Sequence, residues 1–466
     1  MKFTTPNQPR RGFVLVAILV IVMLLSMLVV SLLFRFKAED TAASASVGTE
    51  QAWAVAMSGI EEALRVASAI KPGSTDWQDN PAAFRDHFVC DDGVDRWFFT
   101  VFSPADGETL GEFRHGLTDE ASKVNVNASL AMDLEKLPRL TPAHVAALRD
   151  FIDEDDTLRP EGAEQDYYNG LPRPYAVRNG PLVSLDELLL VRGFTPVLLN
   201  GALATVRAGV TNDEAVATSS DTRTDRGLRQ FLTVVSSESN TDNDGVPRTN
   251  LNDLDAPLPN VELPAALTNY IAVLNTNLIA LNHAADLLEA KVTVKDEKGA
   301  DVEVSSGVGK AELATVLDLF TTTDEQRIAG LINVNTASLA VLATVPGIDE
   351  PLAETIVSTR RSISPERRTT IAWLFQEGVV DAAKFKSLAQ YLTARSFQYR
   401  FQVIGYGLPS GRFRVLEVGI DVTNGERRIT YLRDITRLGL PFPLGTETEN
   451  TTTSSAAPKR KEPPRG

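Results

Sequence analysis

The sequence holds a single cysteine, Cys90, among 466 residues, and only four histidines. One thiol excludes an intramolecular disulfide framework and a cysteine zinc cluster. His87, His115, His144 and His283 stand in no pattern with a serine or cysteine nucleophile, and no P-loop or glycine-rich dinucleotide turn is present. No catalytic constellation is visible, so the chain is not expected to be an enzyme. Positive charge is also short: 46 Lys and Arg against 61 Asp and Glu leave a formal charge of −15. A general nucleic-acid binder normally shows a basic footprint, so that class is disfavoured. What basic charge there is gathers at the ends, with Lys2, Arg10 and Arg11 at one and Lys459, Arg460, Lys461 and Arg465 at the other.

One long apolar run is present. Phe13 to Phe34 carries no charge, and at 1.5 Å per residue it makes a helix of roughly 33 Å, enough to cross a hydrocarbon core of ~30 Å. It is too long for the apolar part of a secretory signal peptide. The run predicts a single-pass membrane anchor; an inner membrane, with the bulk of the chain in the periplasm, is what the resemblance to a secretion family given below implies. Its opening, Arg10-Arg11-Gly12-Phe13, resembles the prepilin-peptidase site of type IV pilins and pseudopilins. The resemblance implies a leader over 1–12, cleavage after Gly12, and Phe13 as the first mature residue. Most members of that superfamily carry Glu at the fifth mature position, where it pairs with a neighbouring subunit's amine; Ala17 stands there instead. Ala38 to Ile70 continues as an amphipathic helix, with Trp53, Met57, Ile60, Leu64 and Ala67 on one stripe, ended by Lys71-Pro72-Gly73.

The chain also repeats itself. Asn125-Val126-Asn127 and Asn333-Val334-Asn335 match at an offset of 208, and Pro138 matches Pro346, which is followed by Gly347. Each copy reads as a short helix, a Pro-containing turn and a second helix, the helix-hairpin-helix pattern, with the Asn side chains capping the first helix. A second pair relates 184–210 to 370–396, with Gly193 against Gly378. The offset has dropped to 185, so copy one holds extra sequence between its halves, the acidic loop at about 153–181. A third Asn-Leu-Asn, Asn250 and Asn252, suggests a partial unit between the copies. Strand-like runs flank this region: the aromatic, β-branched 96–102 before it, and the alternating 399–405, 412–422 and 427–437 after it.

These features predict an α+β protein: a long N-terminal transmembrane and amphipathic helix with an antiparallel sheet, interrupted by a large α-helical insertion of helix-hairpin-helix, SAM-like repeats. The expected boundaries are a leader at 1–12, a membrane helix at 13–34, sheet segments at 35–116 and 396–440, and a disordered tail at 441–466. The helical insertion spans 117–395, with copy one at 117–210, a linker and partial unit at 211–330, and copy two at 331–395.

Three segments together resemble the general secretion pathway protein K family, minor pseudopilins of type II secretion: the Gly12-Phe13 leader without Glu at the fifth position, 150–170 with 181–196 behind it, and 332–356. The resemblance implies a pseudopilin fold with an inserted helical domain and a place at the tip of a periplasmic pseudopilus. It implies minor pseudopilins of the I and J types as partners, prepilin peptidase as processing enzyme, and a role in starting or capping assembly for export of folded proteins. The family also binds calcium in the inserted domain. Independently of that, a flexible loop dense in carboxylates suits an ion that takes six to eight oxygens. Asp153, Asp155, Asp156, Glu161, Glu164 and Asp166 are the candidates. Asp242 and Asp244, within Asn240–Gly245, match the opening of an EF-hand loop, but Leu251 stands where its closing Glu belongs.

The competing function is a membrane-anchored DNA receptor of the competence type, which also joins an anchor to helix-hairpin-helix units. The usual DNA-binding hairpin is Gly-apolar-Gly; here the second Gly is Asp349, and 331–361 is net acidic. A phosphate-binding face should be positive.

Overall fold

The computed structural model describes residues 11–105, 113–201, 227–295, 300–442 and 444. Residues 1–10 of the expected leader, most of the polar segment 211–228, and residues 445–466 of the expected tail lie outside the described residues.

A single helix, α1 (Arg11–Ser68), runs without a break from the apolar run into the body. Its first half is long and apolar enough to cross a membrane, and its large apolar side chains from Val14 to Phe36 stand exposed. Packing begins at Gly48, beneath the Arg412 side chain. From there Ala52, Val55, Ala56, Ile60, Ala63, Leu64 and Ala67 are buried at three- and four-residue spacing, one stripe of an amphipathic helix. Trp53 and Met57, expected on that stripe, flank it and are only half-buried. The helix ends before Lys71-Pro72-Gly73, with Gly73 at φ +77° beside the Pro365 carbonyl.

The buried stripe lies on a seven-stranded antiparallel sheet. Its strands are β1 (His87–Asp91), β2 (Arg96–Pro104), β3 (Phe113–Arg114), β4 (Thr118–Asp119), β5 (Gln398–Leu408), β6 (Phe413–Asp421) and β7 (Arg428–Asp434). Their order is β1-β2-β5-β6-β7, with β3 on β2 and β4 on β5. The central pair β2 and β5 is joined antiparallel although nearly 300 residues separate the two strands in sequence. Alternate residues face α1: Trp97, Phe99 and Val101 from β2, Tyr399, Phe401 and Val403 from β5, Leu416, Val418 and Ile420 from β6. Each such fully buried large side chain contributes roughly 1.5–3 kcal/mol.

Small residues set the helix-to-sheet distance. A Cβ on Gly405 of β5 would fall 2.2 Å from the Ala52 carbonyl oxygen and 2.5 Å from the Ala56 nitrogen. Gly405→Ala is therefore expected to lift α1 off the sheet and cost about 1–3 kcal/mol, the usual scale of overpacking. Thermal unfolding of the full chain in detergent checks this; an unchanged midpoint would mean that α1 does not rest on β5.

Between β4 and β5 the chain leaves the sheet and builds a second core of its own, separate from the one under α1. Short helices and turns surround Leu148, Phe151, Tyr168, Leu188, Leu274, Phe320, Leu342, Trp373 and Phe385. Three two-residue parallel ladders run through this region. Val124–Asn125 pairs with Leu232–Thr233, Thr249–Asn250 with Phe320–Thr321, and Ile332–Asn333 with Leu392–Thr393.

Candidate functional site

Each ladder opens on one Asn-X-Asn, and the side chains of that triplet repeat the same bonds. The first Asn accepts the second's N–H through Oδ1: Asn125 from Asn127 at 3.0 Å, Asn250 from Asn252 at 2.9 Å, Asn333 from Asn335 at 2.9 Å. The second Asn donates through Nδ2 to two carbonyls. Asn127 reaches Leu182 and Val234, Asn252 reaches Leu281 and Thr322, and Asn335 reaches Arg368 and Ala394, at 2.9–3.3 Å. In each case one carbonyl lies two residues before a residue whose side chain caps a turn (Ser184, His283, Thr370), and the other directly follows the closing strand. A buried primary amide can serve three chain segments at once because it offers two donors and an acceptor.

The structure corrects two expectations here. The Asn residues do not cap a first helix: Asn125 caps the single 3-10 turn Val126–Ala128, and the helix Leu339–Ala343 is capped by Ser338. The first helix of copy one is itself only a 3-10 turn, Leu134–Lys136. Residues 249–322 hold the whole clamp where the sequence suggested part of a unit. They also carry an antiparallel hairpin, Lys291–Lys295 with Asp301–Ser305, that separates the two halves.

The turns of the two copies correspond. Pro138-Arg139 and Pro346-Gly347 precede the buried Leu140 and Ile348, and Arg139 (φ +68°) and Gly347 (φ +89°) are both left-handed. Thr141 and Asp349 then cap the helices Pro142–Ile152 and Glu350–Thr359. Asp349 accepts the Leu352 N–H at 3.0 Å, so a carboxylate already stands where a hairpin would hold a DNA phosphate. The histidines are structural: His144 completes the Thr141 cap, and His283 caps the turn Ala284–Leu287. Burial pushes the His283 imidazole down to about 4.

The acidic candidates do not all converge. Asp155 is folded into a turn, its Oδ1 accepting the Thr157 N–H at 2.8 Å; the Thr157 hydroxyl first, and then that N–H, hold its carboxyl below the usual range. Glu161 and Asp166 are exposed, and Gln165–Asn169 is a short helix within what reads as a loop. Asp156 is exposed too; Asp153 and Glu164 lie further in, joined by three residues the sequence did not single out: Asp150, Arg159 and Asn179. Asp150 is wholly buried; its Oδ1 accepts from Arg159 Nη1 at 2.8 Å, and the same nitrogen bonds Asp153 Oδ2. Asn179 Nδ2 donates to Asp156 Oδ1 at 3.1 Å.

Glu164 is 7% exposed, and neither carboxylate oxygen has a partner. Burial, then the charges of Asp150, Asp153, Asp156 and Asp155, push its carboxyl up to about 7. Asp153 Oδ1 and Asn179 Oδ1 are likewise buried and unpartnered. Four buried acceptor oxygens without donors are an unusual debt in one small region, and they are the donor set that suits a hard cation. Among the described residues, no three carboxylate, imidazole or thiol groups stand close enough to hold a metal ion as they are.

The EF-hand-like segment is a closed turn. Asp242 Oδ1 accepts the N–H groups of Asp244 and Val246 at 3.0 and 2.8 Å, and Gly245 sits at φ +85°. Asn240 turns its amide to the Thr323 and Glu325 carbonyls, while Arg395 bonds the Thr241 carbonyl. Asp242 and Asp244 thus belong to an Asx-type turn.

Where the chain leaves the sheet, two adjacent acids tie the two cores together. Asp119, at the end of β4, accepts from Asn333 Nδ2 at 3.0 Å, Thr336 Oγ1 at 2.5 Å and the Ala121 N–H at 2.7 Å. Burial outweighs these donors and pushes its carboxyl up to about 6. Glu120 accepts from Lys123 Nζ at 2.7 Å and from Thr233, with Arg400 of β5 at 3.5 Å. Nothing in the local sequence pattern marks this pair as a junction, because Thr233, Asn333, Thr336 and Arg400, which tie it to the rest of the fold, lie more than 100 residues away.

Residues 112–208, which span the exit from the sheet, the first Asn clamp and the acidic loop, match the family model described as type II secretion system (T2SS), protein K. No curated protein matches the chain. Among solved structures, the chain is similar to one in the crystal structure of the GspK-GspI-GspJ complex from the enterotoxigenic Escherichia coli type 2 secretion system. Identity is 12% and the TM-score 0.37, over 86% of this chain and 99% of that one.

Proposed function

We propose that this chain, a member of the type II secretion system protein K family, is a minor pseudopilin that starts or caps the pseudopilus at its tip. The observation that carries the proposal is the protein K match over 112–208, set behind a helix that is apolar and exposed in its first half and packed on a sheet in its second. In this reading the apolar half sits in the inner membrane before assembly and in the filament core after it. Prepilin peptidase cuts after Gly12. A subunit stacked above would present its α-amine to a neighbour's carboxylate in an apolar environment, where an unpaired charge is costly. Ala17 offers no such carboxylate. The helical region that leaves the sheet between β4 and β5 adds bulk, and a subunit with no pairing acid and a large added body suits a terminal position.

The three Asn clamps have a mechanical meaning in this role. Each closes its unit with backbone carbonyls rather than through long side chains, which makes the region stiff. Helix-hairpin-helix units built this way serve protein packing, and the carboxylate cap at Asp349 counts against DNA. The pseudopilus partners are minor pseudopilins of the I and J types, and the cargo is folded protein bound for the outer membrane.

Calcium is the cofactor of this proposal. Asp153, Asp156, Glu164 and Asn179, with Asp150 behind them, would hold it. The fit rests on the four orphaned oxygens, which an ion would satisfy together. The ion's contribution is neutralisation of a carboxylate cluster that is otherwise self-repelling, which fixes the loop against the helix Pro142–Ile152. Affinity purification of the full chain from membranes tests the functional proposal, with I- and J-type minor pseudopilins as the expected companions.

A further inference from the structure

Where α1 ends, three parts of the molecule leave an open cleft of about 810 Å³ between them, within the range of clefts that seat a drug-sized ligand. The last turn of α1 and the stretch from Lys71 to Asn80 form one wall. The 3-10 turn Pro365–Thr369 of copy two forms the other, and Asn243 of the middle unit completes the lining. The walls meet at Gly73, where a Cβ would fall 1.9 Å from the Pro365 carbonyl oxygen. Val66, Ile70, Pro72 and Trp77 give the cleft its apolar surface. Its polar groups are held in place, but several have nothing to bond. The Asn335 clamp grips the Arg368 carbonyl at 2.9 Å and so fixes the base of that side chain. Arg368 Nε is buried without a hydrogen-bond partner, and among the described residues Arg368 joins no ion pair. Asn243 donates its N–H to Asp318 Oδ1 at 3.0 Å, and its own Oδ1 is buried without a donor. Lys71 is exposed and, among the described residues, unpaired. The other charges of the lining are mostly committed. Arg65 is bonded to Glu62 at 2.6 Å, and the Ser364 hydroxyl, then its own N–H, hold the Glu366 carboxyl below the usual range. Two uncommitted cations thus stand against one exposed carboxylate, Asp76, in a chain whose formal charge is −15.

We propose that this cleft docks an extended, acidic segment of a partner protein, with a carboxylate of that segment on Arg368 and Lys71. A guanidinium takes a carboxylate through two parallel N–H groups, which gives direction as well as attraction. An extended chain also brings a carbonyl and an N–H with each peptide group. One answers Arg368 Nε and the other Asn243 Oδ1, groups that are costly to bury unpaired. The apolar surface takes the small or apolar side chains of the same segment. Opposite charge across the contact selects the partner and rejects a basic one. Because the lining comes from α1, the middle unit and copy two, a docked segment ties the end of α1 to the helical region. Docking here does not require the tip position proposed above. The rival occupant is this chain's own tail, which carries Glu447 and Glu449. It also carries Lys459, Arg460, Lys461 and Arg465 against Glu462, so residues 445–466 are net basic and match the cleft poorly.

The experiment places a photo-crosslinking amino acid at Ala69, exposed in the cleft's lining, or at Val94, which is 75% exposed and lies outside it. The full chain is irradiated in cells and purified from membranes, and the adduct is mapped by mass spectrometry. The expected result is an adduct at Ala69, absent at Val94, with a segment of another protein that carries carboxylates beside the linked position. Lys71→Glu should lower its yield at least about threefold, and Arg368→Glu at least about tenfold. Replacing the acids of that segment by lysine should bring the yield in both variants back to within about threefold of wild type, a rescue that misfolding would not permit. The Lys71 side chain is exposed and unpaired, so Lys71→Glu keeps the test valid if Arg368→Glu folds poorly. An adduct with residues 445–466, with a second copy of this chain, or with a segment that lacks acids would overturn the proposal. No adduct at Ala69 above the Val94 level would also overturn it. So would a yield that neither variant lowers, or a loss that the lysine exchange does not repair.

Discussion

Replacing Glu120 by alanine is expected to cost about 3–5 kcal/mol, the scale for removing one partner of a buried ion network, and to uncouple the helical region from the sheet. The size follows from what is left behind. Glu120 is 2% exposed and Lys123 6%, so loss of the carboxylate strands an almost wholly buried ammonium without its partner. Arg400 loses one of its two carboxylates and keeps only Glu417, at 3.2 Å. Thr233, at the end of the first ladder, loses its acceptor. The same residue sets an acid limit. Burial alone would raise the Glu120 carboxyl, but Lys123 and Arg400 prevail and hold it below the usual glutamate range. Because the folded value is depressed, the stabilisation is present above the unfolded value and is lost as pH falls through the folded one. Denaturant unfolding of wild type and Glu120→Ala at neutral pH and at pH 4 measures both effects. The difference between the two proteins should shrink at the lower pH. A cost below about 1 kcal/mol at neutral pH would show that the junction is solvated and that the two bodies are not rigidly joined.

Gly12→Ala is expected to abolish leader removal and, with it, assembly. In the proposed reading the residue before the cut occupies a peptidase site that takes glycine, and Lys2, Arg10 and Arg11 of an uncut leader would remain on the cytoplasmic side of α1. Retained, they pin the helix in the bilayer, because drawing three basic groups through hydrocarbon is far costlier than drawing an apolar helix out of it. Mass spectrometry of the chain from membranes reads the outcome directly: wild type should begin at Phe13 and the variant should keep residues 1–12. A variant processed like wild type would remove the pseudopilin assignment, whatever its effect on secretion.

The long-range form of this molecule is written in patterns that survive without their partners. An uncharged run from Phe13 to Phe34 gives a helix by length alone; the aromatic and β-branched residues of 96–102 and the alternation in 412–422 give strands, and one face of each meets α1. The pairing of β2 with β5 follows once the Asn repeats mark everything between as a separate body. Other features need their partners to be seen. The clamp at Asn252 is hidden because a hairpin at 291–305 pushes its halves apart. Asp119 and Glu120 look like any solvated acidic pair until Asn333, Thr233 and Arg400 are placed on them. In the acidic loop, charge density singled out Asp155, Glu161 and Asp166, which face water or cap a turn. Burial, which density does not encode, selects Asp150 and Glu164, and the arginine between them is invisible to a count of carboxylates.

The most direct measurement of the central claim is the composition of the complex recovered with the full chain. The tagged protein, expressed at native level and extracted from membranes after brief cross-linking, should bring down minor pseudopilins of the I and J types in near-equal amounts. It should bring down the major subunit only in small proportion, as a terminal subunit must. Recovery of the chain alone, or of major subunit in large excess with it distributed along the filament, would contradict a tip minor pseudopilin. Recovery of double-stranded DNA bound tightly at physiological salt would contradict it in favour of a DNA receptor.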